Sequence, residues 1–249
     1  LLQYSYGIDI KEKDSIKNMN TLHIPEPPEH YQRVSVVGVA CIFIDGKYLL
    51  LRNKRSSVDG DVIHTAIGGA LTFDRSRYDY LRDYYRARFH YDKEGYGTFD
   101  LRLFMEPAKI PQFLDWIKST GDGERETSCF RELQEELVDE ECLLGHADFI
   151  NGIVDISPAG AYLVSSKVDA TRGHKHPHLT HYVFLVDHVC FNETLEDKIR
   201  ELVKTDERLV LKTQEEIESE EVHINHALTR FAAQKKVFRE YARALLSSP

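Results

Sequence analysis

The densest apolar run in the chain, Val34-Ser35-Val36-Val37-Gly38-Val39-Ala40-Cys41-Ile42-Phe43-Ile44, has the length and β-branched content of a buried strand. Asp45-Gly46 then makes a tight turn in which glycine supplies positive φ, and Lys47-Tyr48-Leu49-Leu50-Leu51-Arg52 returns as a second strand. A polar loop over 53–61 leads to a third strand at 62–71, which contains Gly68-Gly69. The period then changes. Tyr78, Leu81, Tyr84, Tyr85 and Phe89 recur at near-helical spacing, residues 99–105 read as a strand, and 108–119 as a helix with Phe113, Trp116 and Ile117 on one face. Further on come a connection and strand over 141–156 that ends near Pro158-Ala159-Gly160, and strands at 162–168 and 180–189. A charged helix at 192–203, a short strand at 208–212, a helix at 214–221 and a long amphipathic helix at 225–246 complete the chain. Strands alternate with helices throughout, so the class is α/β. Residues 1–30, closing on Ile24-Pro25-Glu26-Pro27-Pro28, read as an N-terminal arm or linker.

One polar pattern stands apart. In the helical reading of residues 129–137, Cys129, Phe130, Leu133 and Leu137 form an apolar stripe, while Glu132, Glu135 and Glu136 share another face. Adjacent carboxylates repel. Water can screen them, as on any solvated acidic face, or a hard cation can sit among them, since Mg²⁺ and Mn²⁺ prefer oxygen ligands. The spacing admits both.

The string Arg131-Glu132-Leu133-Gln134-Glu135-Glu136 resembles the second half of the Nudix box, G-x5-E-x7-R-E-U-x-E-E-x-G-U, with U a bulky aliphatic residue. Gly123-Glu124 resembles the Gly-Glu pair of its first half, with six residues before Arg131 instead of seven. Gly69 is the candidate for the opening glycine, which puts an insertion of about 50 residues, at 74–120, inside the box. Val138 stands where the box has its last glycine. The opening hairpin, with paired leucines followed by basic residues, is similar to the start of Nudix domains. The split box led by Asp100-Leu101-Arg102-Leu103 and Phe113-Leu114-Asp115-Trp116 is similar to the SMODS-associated Nudix subfamily, whose members occur with bacterial nucleotide-signalling and antiphage systems, often behind membrane helices.

The resemblance implies a Nudix-type α/β/α sandwich around a mixed β-sheet, spanning 31–249. It implies hydrolysis of a diphosphate bond in a nucleoside diphosphate-linked substrate with Mg²⁺ or Mn²⁺. Glu132, Glu135 and Glu136 become metal ligands, one of them able to act as base instead, with Glu124 adding a carboxylate. Arg131 holds a glutamate by a charged hydrogen bond, or else makes a surface ion pair. Gly68, Gly69, Gly123 and Arg52 become candidates for substrate binding. The shortened spacing and Val138 keep a second expectation open, a module that binds a nucleotide signal without cleaving it.

Composition narrows this further. A net charge of −9 argues against a stable nucleic-acid partner, and leaves a nucleotide-type small molecule bridged by metal. The four cysteines make no C-x-x-C pair and suit reduced thiols in a cytoplasmic protein. No apolar run spans a membrane, although the absent initial methionine leaves room for an upstream tether. The tyrosines and arginines of 78–91 suit an amphipathic helix or stacking on nucleobases, and the 74–120 segment suits homodimer formation. His174, His176 and His178 alternate in a loop that suits a plain hairpin connection, a ligand contact or, least of all, zinc.

Overall fold

The computed structural model describes residues 28–52, 64–89, 99–168 and 177–219. Strand β1 (Gln32–Ile44) is the spine. On one side it runs parallel to β8 (His178–Phe191), in register from Arg33–Thr180 to Ile42–Val189. On the other it is antiparallel to β6 (Arg102–Met105) along its first part and to β4 (Gly68–Ala70) along its middle. Its end turns back through Asp45 (φ 52°) and Gly46 (φ 80°) into β2 (Lys47–Arg52), the expected tight hairpin. Strand β2 pairs with β3 (His64–Thr65) and β9 (Leu209–Lys212), β5 (Arg88–Phe89) with β6, and β7 (Ile153–Val168) with β8. Among the described residues nine strands therefore make one mixed sheet, which is the expected α/β Nudix-type arrangement.

The helices are α1 (Tyr78–Tyr85), α2 (Ile110–Ser119), α3 (Phe130–Gln134), α4 (His146–Gly152), α5 (Glu193–Thr205) and α6 (Gln214–Ser219). Even-numbered positions of β1 point to one face. Val34 and Val36 meet Leu81, Tyr85, Phe113 and Trp116 of α1 and α2, while Ala40, Ile42 and Ile44 meet Leu133, Phe149, Leu195 and Ile199 of α3 to α5. The segment 74–120 thus builds its own half of the core and lends β6 directly to β1. On the opposite face, Val37 and Val39 cluster with Tyr162, Phe184 and Val186.

Four expectations change. The stretch 141–156 begins with helix α4, only seven residues long and without a side-chain cap, which leaves a weak signature in sequence. Pro158-Ala159-Gly160 does not end a strand. Strand β7 continues through it on a register shift at Pro158/Gly160, and an edge strand tolerates a proline in such a bulge. The third strand breaks into β3 and β4. The helix expected from Tyr78 stops at Tyr85, where Arg86 takes a left-handed φ of 54°. The loop of His174 and His176, the long helix at 225–246 and the arm at 1–27 lie outside the described residues. Among the described residues no helix is long and apolar enough to cross a membrane.

Gly68 is fixed by packing. A Cβ there would overlap the carbonyl oxygen of Gly38 and sit 3.0 Å from the Val39 Cα, both backbone atoms that cannot swing aside. Gly68→Ala is expected to destabilise the protein by roughly 1–3 kcal/mol, measured by denaturant unfolding.

Candidate functional site

Helix α3 is five residues long, too short to hold itself together, and tertiary contacts fix it at both ends. At its start, the Cys129 N–H donates to Asp187 Oδ2 (2.7 Å), a buried carboxylate on β8. Burial raises the pKa of Asp187, partly offset by its bonds to Cys129. Burial also raises that of the Cys129 thiol, with the neighbouring Asp187 charge adding to it. Along its length, Leu133 and Leu137 are buried in the core, as the apolar stripe requires.

Beyond Gln134 the chain continues as a π-helix over Glu135–Glu140. Insertions of this kind accumulate at functional sites. Val138 packs against the core, and the chain leaves the helix at Cys142, whose φ is 52°. That accounts for the valine at the glycine position of the box: the helix runs on and turns later.

Arg131 is the centre of the site. Its Nε donates to Glu126 Oε1 (2.6 Å) and its Nη1 to Glu135 Oε2 (2.7 Å). Its Nη2 donates to Glu132 Oε1 (2.7 Å), to Glu126 Oε2 (3.1 Å) and to the carbonyl of Ala70 on β4 (2.8 Å). Burial alone would lower the pKa of this guanidinium, but the bonds to Glu126 and Glu135 outweigh it and raise the value. The charge is therefore permanent, and the planar fork holds three carboxylates and one strand in fixed relation.

Glu132 is 8% exposed, an unusual place for a carboxylate. Burial pushes its pKa up to about 7, with Arg131 opposing and the charges of Glu135 and Glu126 adding. Its carboxylate lies against Gly69, where any Cβ would overlap it. The two halves of the split box thus come together in space. Glu135 and Glu136 are half-buried one turn further on.

The remaining candidates fall elsewhere. Glu124 pairs with Arg77, while Arg131 takes Glu126 instead. Glu126 escapes a reading of the sequence because the Gly-Glu pair draws attention to Glu124. The useful signal was the alternation of Glu124-Arg125-Glu126, since an extended segment places both glutamates on one side. The segment is indeed extended, with Phe73 bridging Arg125, the Glu126 N–H donating to the Thr72 carbonyl, and the Glu126 carboxylate accepting from the Thr72 N–H. Gly123 supplies the turn before it, with φ of 90°. Arg52 pairs with Glu207 (2.8 Å) near β9.

Among the described residues no three acidic, histidine or cysteine side chains converge as a ready-made cation site. The carboxylates of Glu126, Glu132 and Glu135 are directed at Arg131. Their chemistry nevertheless suits a hard divalent ion, being all oxygen and partly shielded from water, and the missing Cβ of Gly69 leaves the Glu132 carboxylate its room.

A family model described as SMODS-associated NUDIX domain matches residues 31–238. The chain belongs to that family. No curated protein matches it.

The pKa of Glu132 makes a test. Because the folded value is raised, from 4.5 to about 7, the protonated group favours the fold below about pH 4.5. That contribution is lost as pH rises through 7, a change on the order of 3 kcal/mol. Metal-free Glu132→Gln is expected to melt higher than the unmodified protein at pH 8 and to lose this pH dependence, as thermal melts from pH 5 to 8 will show.

Proposed function

We propose that the protein is a metal-dependent hydrolase that cleaves a diphosphate bond in a nucleoside diphosphate-linked substrate. The observation that carries this reading is the Arg131 fork, which ties Glu126, Glu132 and Glu135 to one another and to β4. A surface acidic helix has no use for a buried glutamate, a glycine cut to fit it and an arginine bonded on every side.

Glu132, Glu135 and Glu136 would hold Mg²⁺ or Mn²⁺, with substrate phosphates and water completing the coordination. Such an ion supplies charge neutralisation of the diphosphate and a lowered pKa for bound water. The protein's own residues do the rest. Arg131 orients Glu132 and Glu135 and offsets their mutual repulsion. Glu126 orients Arg131. Glu132, with its pKa near neutrality, gives up its proton when it ligates, so that cation affinity rises with pH. Gly123 leaves its backbone open just before the segment that carries Glu126, where a phosphate would lie, whereas Gly68 and Gly69 are already packed against β1 and the Glu132 carboxylate. Glu124, held by Arg77, and Arg52, held by Glu207, would contribute only after those pairs open.

The nucleotide is the partner we expect, and the family's SMODS association supports a role in bacterial nucleotide signalling and antiphage defence.

The test is a chromatographic assay of a nucleotide panel with Mg²⁺ and Mn²⁺. Glu135→Gln is expected to abolish turnover while leaving the metal-free melting temperature within a few degrees of the parent. Glu126→Gln, which touches the reaction only through Arg131, should reduce kcat by roughly 10- to 100-fold. Undiminished turnover in Glu135→Gln would remove that residue from the chemistry. A nucleotide that raises the melting temperature without being consumed would replace the hydrolase by the binding module.

A further inference from the structure

The face of the sheet opposite the acidic helix carries a cluster that the hydrolase reading does not use. On β1, odd-numbered positions point to this face, as Val37 and Val39 show. Arg33 shares that parity. Its neighbours in register are Thr180 on β8 and Phe104 on β6, and one step along, Ser35 lies between Tyr182 and Arg102. Arg33, Arg102 and Thr180 therefore project together.

Their polar atoms are left over. Among the described residues, the buried Nε atoms of Arg33 and Arg102 and the Oγ1 of Thr180 find no hydrogen-bond partner, and Thr180 is 0% exposed. Arg102 is bonded to Asp100, whose charge also acts on Arg33. Two guanidiniums thus lie near the same carboxylate. Burial lowers the pKa of Arg33, the Arg102 charge lowers it further, and Tyr182 and Asp100 act against them.

Such an arrangement is costly. Each buried N–H or hydroxyl left without a partner costs roughly 1–3 kcal/mol. A protein tolerates these costs where a ligand repays them. The missing partner must accept hydrogen bonds from two guanidiniums and a hydroxyl and carry negative charge. A tetrahedral oxyanion does both, with oxygens spaced for arginine forks.

We propose that Arg33, Arg102 and Thr180 form a binding site for a phosphate group, separate from the acidic helix. The separation is geometric. Gly38, paired with Gly69 over Glu132, lies five residues along β1 from Arg33, about 16 Å at roughly 3.3 Å per residue, and on the other face. The aromatic ring of Tyr182 on the same face, and Phe104 in contact with His178, give the site an apolar border suited to a phosphate that carries a ring system. The site stands or falls independently of the hydrolase reading.

The test uses the metal-free protein in EDTA. Thermal melts are recorded against inorganic phosphate and against AMP, each beside sodium chloride of matched ionic strength. The unmodified protein should gain several degrees and saturate with phosphate, and chloride should not reproduce the gain. A greater gain with AMP at equal concentration identifies a nucleotide as occupant, and equal gains identify the phosphate group alone. Arg33→Met is expected to melt at or above the unmodified protein without phosphate, because it removes a buried N–H that lacks its partner, and to lose the phosphate gain. Thr180→Val, of nearly the same shape, should also melt no lower and should reduce the gain. Glu135→Gln should retain the gain in full. A site of merely structural arginines predicts the reverse. A lower melting temperature or failure to fold in Arg33→Met, a phosphate gain that survives in it, or no saturating gain in the unmodified protein would overturn the assignment.

Discussion

The candidate site depends on one guanidinium. Glu126, Glu132 and Glu135 meet in a space that excludes much of the solvent, and without Arg131 their mutual repulsion would drive them apart. The same group bonds Ala70, so the acidic helix and the strand beneath it are fixed by a single planar fork. Asp187 performs a complementary task at the start of α3, accepting the Cys129 N–H. A helix of five residues followed by a π-helical turn has little stability of its own. Its place is set by these two polar anchors and by burial of Leu133 and Leu137. Structure at the site is thus tertiary in origin, and so is the raised pKa of Glu132.

Much of this was legible in the sequence. The hairpin of β1 and β2 announces itself by an apolar run, a turn that requires positive φ and a second apolar run, all of them local properties. Helices α2 and α5 are legible for the same reason, α5 down to its cap, since the Asn192 side chain accepts the Leu195 N–H. The string from Arg131 to Glu136 identifies the family and the acidic helix. What the sequence hides is set at a distance. Nothing local in Gly123-Glu124-Arg125-Glu126 says which glutamate turns to Arg131. The choice follows from the pairing of Phe73 with Arg125, partners 52 positions apart by their numbers. The continuity of strand β7 through Pro158-Ala159-Gly160 is hidden for a related reason. Pro158 and Gly160 are strand breakers by local preference, and continuous pairing with β8 overrides them. The π-helical turn after Gln134 leaves no signature that periodicity can detect.

The long insertion inside the box looks at first like a threat to the geometry of the site, and the strand pairing removes that threat. The chain leaves at Thr72-Phe73 and returns at Arg125-Glu126, and those two segments are hydrogen-bonded to each other, Glu126 N–H to Thr72 carbonyl and Asp74 N–H to Glu124 carbonyl. The ends of the insertion are therefore pinned side by side whatever lies between them. Lengthening a loop from about 5 to about 50 residues costs only about 2 kcal/mol of closure entropy. Here the inserted chain offsets that cost by burying Leu81, Tyr85, Phe113, Trp116 and Met105 and by pairing β6 with β1. Its contribution reaches the site through Thr72, which bridges Asp100 from the insertion and donates its N–H to Glu126. Asp100 in turn bonds Arg102 on the face where Arg33 lies. The insertion thus touches both the loop behind Arg131 and the arginine pair on the other face.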